Sequence, residues 1–171
     1  THLVLSSRII PKEVDDMVLA LKEANFDVIA VEFIGMSLMR LVKNYSAGMK
    51  PDVPYLIAHL SGDGPDIMIV KSGHLYFNYF HSWAAIQTEI GGRKMEAEDV
   101  QDFLATHIRQ VLNFYTSRWG GAINQIILVQ NPIAKEIKAI ERQSFGIDAQ
   151  LLTIGKYNQI TPLWYGALGA A

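Results

Sequence analysis

Apolar and polar positions alternate along this chain in two distinct rhythms. Three apolar, β-branched or aromatic runs, Tyr55 to Leu60, Ile67 to Val70 and Leu75 to Phe80, are separated by Ser61-Gly62-Asp63-Gly64-Pro65-Asp66 and by Lys71-Ser72-Gly73-His74. Short β-rich runs punctuated by glycine turns predict three consecutive antiparallel strands. A three- and four-residue rhythm governs Glu96 to Arg118, where Val100, Phe103, Leu104, His107, Ile108, Val111, Leu112 and Tyr115 share one face of a helix that Gly120-Gly121 ends.

The flanking segments follow the same logic. Leu3 to Ser6 reads as a strand, and Pro11 opens a helix with Glu13, Asp15 and Asp16 near its positive end and Val14, Met17, Val18, Leu21 and Ala24 on one face. Asp27 to Phe33 reads as a buried strand, so the first 33 residues predict a β-α-β unit. A short helix from Ile34 to Asn44 precedes the loop Tyr45 to Pro54, the best internal boundary. Trp83 to Ile90 reads as a loose helix or turn, Ile123 to Val129 as a buried strand, Asn131 to Phe145 as a helix, Ala149 to Ile154 as a last strand and Pro162 to Ala171 as a small-residue helix. The predicted order is β-α-β-α followed by β-β-β-α-β-α-β-α, with no internal repeat.

Composition narrows the classes. Of 171 residues, 50% are hydrophobic and 19% charged, which supports a real core in one domain or two small subdomains. A formal charge of -2 provides no basic surplus for a phosphate backbone, so no nucleic-acid partner is expected. No apolar run reaches the roughly 20 residues needed to span a bilayer, and no membrane insertion is expected. The absence of cysteine removes disulfides and thiolate metal sites. The five histidines show no His-x-x-x-His or His-x-His spacing, and no metal site is expected. The chain opens at Thr1 without an initiator Met and reads as a piece of a longer protein.

Particular residues then point to a family. Pro11-Lys12-Glu13-Val14, its apolar helix, Ala24-Asn25-Phe26 and Val28 to Glu32 resemble the middle of the type IV pilus assembly protein PilM family, within the actin-like ATPase superfamily. Phe114 to Gly121, followed by Ile123 to Val129, resembles that family's long helix and next strand. The resemblance implies an α/β fold: a ribonuclease-H-like (actin-like ATPase) half-domain with a mixed five-stranded sheet flanked by helices. It makes residues 1–50 the tail of a first lobe plus an interdomain helix, and residues 54–171 the second lobe. It also implies a cytoplasmic location beneath the inner membrane, docking of the cytoplasmic tail of an inner-membrane pilus or secretion protein, and a capacity for homo-oligomers.

The family's second phosphate loop reads Asp-Ile-Gly followed by small residues and threonines. Its counterpart here is His59-Leu60-Ser61 followed by Gly62-Asp63-Gly64-Pro65-Asp66, which puts His59 where the family has its aspartate. Ser61, Gly62, Asp63 and Gly64 are thus degenerate cofactor-binding positions. Asp63 and Asp66 would repel a triphosphate unless a cation bridged them, and Pro65 removes a backbone donor. At the adenosine loop, Gln130-Asn131-Pro132 stands where glycines normally admit the base. These departures predict a scaffold or interaction protein with no catalytic residues, no cofactor and no ATP hydrolysis. The alternative is an active actin-like ATPase or small-molecule kinase using ATP with Mg²⁺, with Asp63 or Asp66 replacing the carboxylate lost at His59.

Overall fold

A computed structural model describes residues 11–46, 50, 52–130, 147–154 and 165. Two helices come first, α1 (Pro11–Glu23) and α2 (Ile34–Tyr45). The meander follows as β1 (Tyr55–Leu60), β2 (Pro65–Lys71) and β3 (His74–Phe80). Then come α3 (Trp83–Glu89), α4 (Ala97–Trp119), β4 (Gln125–Gln130) and β5 (Asp148–Leu151). The strands form one mixed sheet in the order β3-β2-β1-β4-β5. β1–β2 and β2–β3 are antiparallel, whereas β1–β4 and β4–β5 are parallel.

Central strands buried on both faces lose the polar-apolar alternation of an exposed sheet. β1 is buried at every position, and one helix covers each of its faces. On one side α2 sets Leu38, Leu41 and Val42 against Ile57, Met68, Val70, Ile127 and Val129. A Cβ at Gly35 would lie 2.7 Å from the Phe33 ring and 2.9 Å from Met68 Sδ, so glycine is what lets α2 approach β2 this closely. On the other side α4 sets Phe103, Leu104, Ile108, Val111 and Tyr115 against Leu56, Ala58, Ile67, Ile69 and Ile126. Glu96 and Asp99 close a reciprocal capping box at the start of α4, and Arg93 pairs with Asp99. That pairing, together with the Glu96 backbone N–H, holds the Asp99 carboxyl below its ordinary range.

Two expectations change. The segment 27–33 lies in no strand, and Ile29 is 92% exposed. A strand exists only through ladder partners, and 27–33 has none among the described residues. The second strand of the expected β-α-β unit is therefore a connector outside the sheet, and the first, Leu3 to Ser6, lies outside the described residues. The expected helices Asn131 to Phe145 and Pro162 to Ala171 also lie outside them, Tyr165 apart.

The third strand also departs from simple alternation. Leu75 and Phe77, which strict period-two alternation would put on one side, face opposite ways. A bulge opposite Ile69 and Val70 pairs Val70 with Leu75 and Ile69 with Phe77, so Tyr76 is the extra residue. Leu75 joins the α2 side, and Tyr76, Phe77 and Tyr79 the α4 side.

Candidate functional site

The predicted site residues lie at one end of the β1–β2 hairpin. Pro65 pairs with Leu60 and Asp66 with His59, so residues 61–64 are the tip that joins the two strands. Ser61 organises this tip. Its N–H and its hydroxyl both donate to the Gly64 carbonyl, at 3.1 and 2.8 Å. Its Oγ accepts the N–H groups of Asp63 and Gly64, at 3.2 and 3.1 Å. A serine hydroxyl that spends both its roles within its own turn is the local competition with other partners expected of Ser, Asn and Asp.

The chain after β3 locks the tip from outside. Trp83 donates its indole Nε1–H to the Ser61 carbonyl at 3.0 Å and its backbone N–H to the Asp63 carbonyl at 2.9 Å. The His81 N–H donates to the Pro65 carbonyl at 3.1 Å. A Cβ at Gly64 would sit 2.0 Å from the His81 carbonyl oxygen, so only glycine permits this approach. Ser82 caps α3 by accepting the Ala85 N–H at 3.2 Å, which fixes the helix that carries Trp83.

These bonds bear directly on nucleotide chemistry. A phosphate loop works by turning free backbone N–H groups toward an anion. Here the N–H groups of Ser61, Asp63 and Gly64 are engaged within the turn, and Pro65 has none. Within 61–65 Gly62 alone keeps an N–H outside these bonds. The residues present do not fit a triphosphate as donors. The second loop, Gln130-Asn131-Pro132, lies beyond the described residues except for Gln130 at the end of β4.

Asp66 is not a loop carboxylate. It is the second residue of β2, buried, and faces His59 across the β1–β2 ladder. His59 Nδ1 and Asp66 Oδ2 stand 3.6 Å apart, and each side chain is 7% exposed. That gap is too long for a hydrogen bond, and His59 Nδ1 has no hydrogen-bond partner. Asp63, by contrast, is exposed at the tip. Of the two carboxylates either of which the alternative reading could use, one is thus exposed at the tip and the other buried in the sheet. Among the described residues no group of three or more His, Asp or Glu side chains could hold a metal ion.

His81 and His107 pack in one aromatic cluster. Tyr79, His81, Phe103 and His107 form a stack in which the Phe103 and His107 ring centres are 3.9 Å apart. His107 Nδ1 donates to the Phe103 carbonyl at 2.8 Å, and His81 Nε2 meets Glu89 Oε1 at 2.8 Å. Burial, helped by the charge of Glu89, pushes the Tyr79 phenol up.

Sequence reasoning singled out Ser61, Gly62, Asp63, Gly64 and His59, which the structure gathers at one hairpin end, and passed over Trp83, which fastens that end. Its signal was modest: a tryptophan placed directly after a helix-capping serine, close to the end of a strand.

No protein-family model and no curated protein sequence matches the chain. Solved structures do. One is the PilM-PilN type IV pilus biogenesis complex, at a TM-score of 0.67 and 10% identity over 93% of this chain and 56% of that one. Another is the ethanolamine utilization protein EutJ from Carboxydothermus hydrogenoformans, at a TM-score of 0.58 and 10% identity over 94% of this chain and 61% of that one. This chain thus spans somewhat over half the length of the structures it matches. Its mixed five-stranded sheet with flanking helices has the α/β fold of an actin-like half-domain, as expected, and at this identity the likeness speaks for the fold alone.

Proposed function

We propose that this chain is part of an actin-like, PilM-similar scaffold of a bacterial type IV pilus or related secretion assembly, working by protein contacts and not by ATP hydrolysis. The observation that carries this reading is the self-bonded tip at 61–64, whose N–H groups serve Ser61 and Gly64 and whose carbonyls serve Trp83. His59, at the position of the family's aspartate, brings an imidazole where metal-assisted phosphate chemistry uses a carboxylate.

In this reading residues 1–50 are the tail of a first lobe plus the interdomain helix, and 54–171 the second lobe. The exposed apolar side chains Met17, Phe26, Ile29 and Val31 suit a segment that a first lobe covers. The scaffold is cytoplasmic, held at the inner membrane through partners, and its partner is the cytoplasmic tail of an inner-membrane protein. The neighbouring PilM-PilN complex, a pair of assembly proteins by its description, favours a protein partner. No helix among the described residues is long and apolar enough to cross a membrane.

Calorimetric titration of the full-length protein with ATP and Mg²⁺ tests the reading, which expects no saturable heat at micromolar nucleotide and no phosphate release. Micromolar binding with turnover overturns it. The partner is tested separately. A short single-span membrane protein encoded immediately downstream would favour the reading; saturable binding of its cytoplasmic peptide supports the scaffold role, whereas no binding counts against the partner.

A further inference from the structure

A strand length from the 61–64 tip, at the other end of β1, a cavity of about 520 Å³ opens on the α2 side of the sheet. Six residues at about 3.3 Å each separate the two ends by roughly 20 Å. The volume falls in the range of small-molecule pockets. Met39 and Tyr55, 8% and 5% exposed, give it an apolar wall. The two-residue turn Ser72-Gly73, with φ of 50° and 71°, borders it.

Its charge is asymmetric. Arg40 and Lys43, three residues apart on α2 and so on one face, line it together with Lys50, and Asp52 is the opposing carboxylate. Glu32 pairs with Arg40 from outside the lining, and that hydrogen bond, with a second from Ser37, holds the Glu32 carboxyl below its ordinary range. Among the described residues, three cations set against Asp52 and Glu32 leave one net positive charge beside an apolar wall.

We propose that this cavity binds a monoanionic ligand: a carboxylate carried on a compact apolar body, which Lys43 and Lys50 engage while Met39 and Tyr55 cover the body. The carboxylate belongs either to a free organic acid or to the C-terminus of a peptide. Arg40, fixed by Glu32, contributes field and shape, and the two lysines supply the donors. The site is independent of whether the 61–64 tip accepts nucleotide.

The test uses the ¹⁵N-labelled full chain and four probes: 3-phenylpropanoate, its amide, Ala-Ala-Phe, and Ala-Ala-Phe amide. Saturable amide shifts at Lys43, Ser72 and Gly73 are expected with both carboxylates, with affinity lower by about tenfold for each amide, a difference of about 1.4 kcal/mol. The exposed double substitution Lys43→Gln/Lys50→Gln weakens the carboxylates by a similar factor, and Asp52→Asn tightens them. The tighter of the two carboxylates identifies the source, free acid or peptide end. Equal binding of acid and amide, unchanged affinity in the double variant, or no saturable shift at these residues overturns the proposal.

Discussion

The indole of Trp83 donates to the Ser61 carbonyl across 22 residues of chain, at 3.0 Å, and this bond fastens the β1–β2 tip to the start of α3. Trp83→Phe keeps an aromatic ring and removes the donor. The expected loss is about 1 kcal/mol in urea unfolding, with faster amide exchange at Asp63 and Gly64. A variant of wild-type stability and unchanged exchange would show that the latch is incidental.

Glycine is required at one position of the tip and not at its neighbour. Gly64→Ala forces a Cβ against the His81 carbonyl and is expected to lose about 3 kcal/mol. Gly62, with nothing within 4 Å of an added Cβ, should accept alanine with a change of about 0.5 kcal/mol or less. Thermal or urea unfolding of both variants checks the contrast, and similar losses would refute it.

His59 and Asp66 are buried face to face. His59→Leu removes the basic group nearest the buried Asp66 together with an imidazole nitrogen that makes no hydrogen bond, and is expected to lose about 1 kcal/mol. The double variant His59→Leu/Asp66→Leu should recover much of that loss, because it removes the stranded carboxyl as well. A double-mutant cycle by denaturant unfolding decides, and simple additivity of the two losses would count against coupling.

Burial pushes the Tyr55 phenol up from an ordinary value of 10 to about 12. The folded chain therefore favours the neutral phenol, and this contribution is complete below pH 10. It fades as pH climbs from 10 toward 12, because the unfolded chain ionises first. The loss is on the order of 2 kcal/mol. Tyr55→Phe should flatten the stability curve over that window, and should remove a late-titrating component from the phenolate absorbance at 295 nm seen in the wild type. A curve of the same slope in both proteins would argue that Tyr55 is not the group responsible.

The parts of this fold written in local chemistry were legible in the sequence. Asp63-Gly64 and Ser72-Gly73 announced the two hairpin turns, and the rhythm from Val100 to Tyr115 announced α4. What escaped depends on partners distant in sequence. Val28 to Val31 has the residues of a buried strand, yet pairing is a property of two segments, and no ladder partner stands beside it among the described residues. The bulge at Tyr76 turns Leu75 away from Phe77, and no residue type there forecasts it. At the candidate site, position and glycine content were visible. The Trp83 latch and the burial of Asp66 were not, because both depend on where β3 and α3 come to lie.

The place of β1 between β2 and β4 has a kinetic consequence. The β1–β2 pair closes through a four-residue connection, whereas the β1–β4 pair, Leu56 with Ile126, must gather some 70 residues of intervening chain. Chain-closure entropy therefore favours the meander as the early assembly, with α4 and β4 docking afterwards as the slow event. Pulse-labelled hydrogen exchange during refolding should find amides of β2 protected before those of β4, so that half of this sheet serves as the template on which the other half is laid.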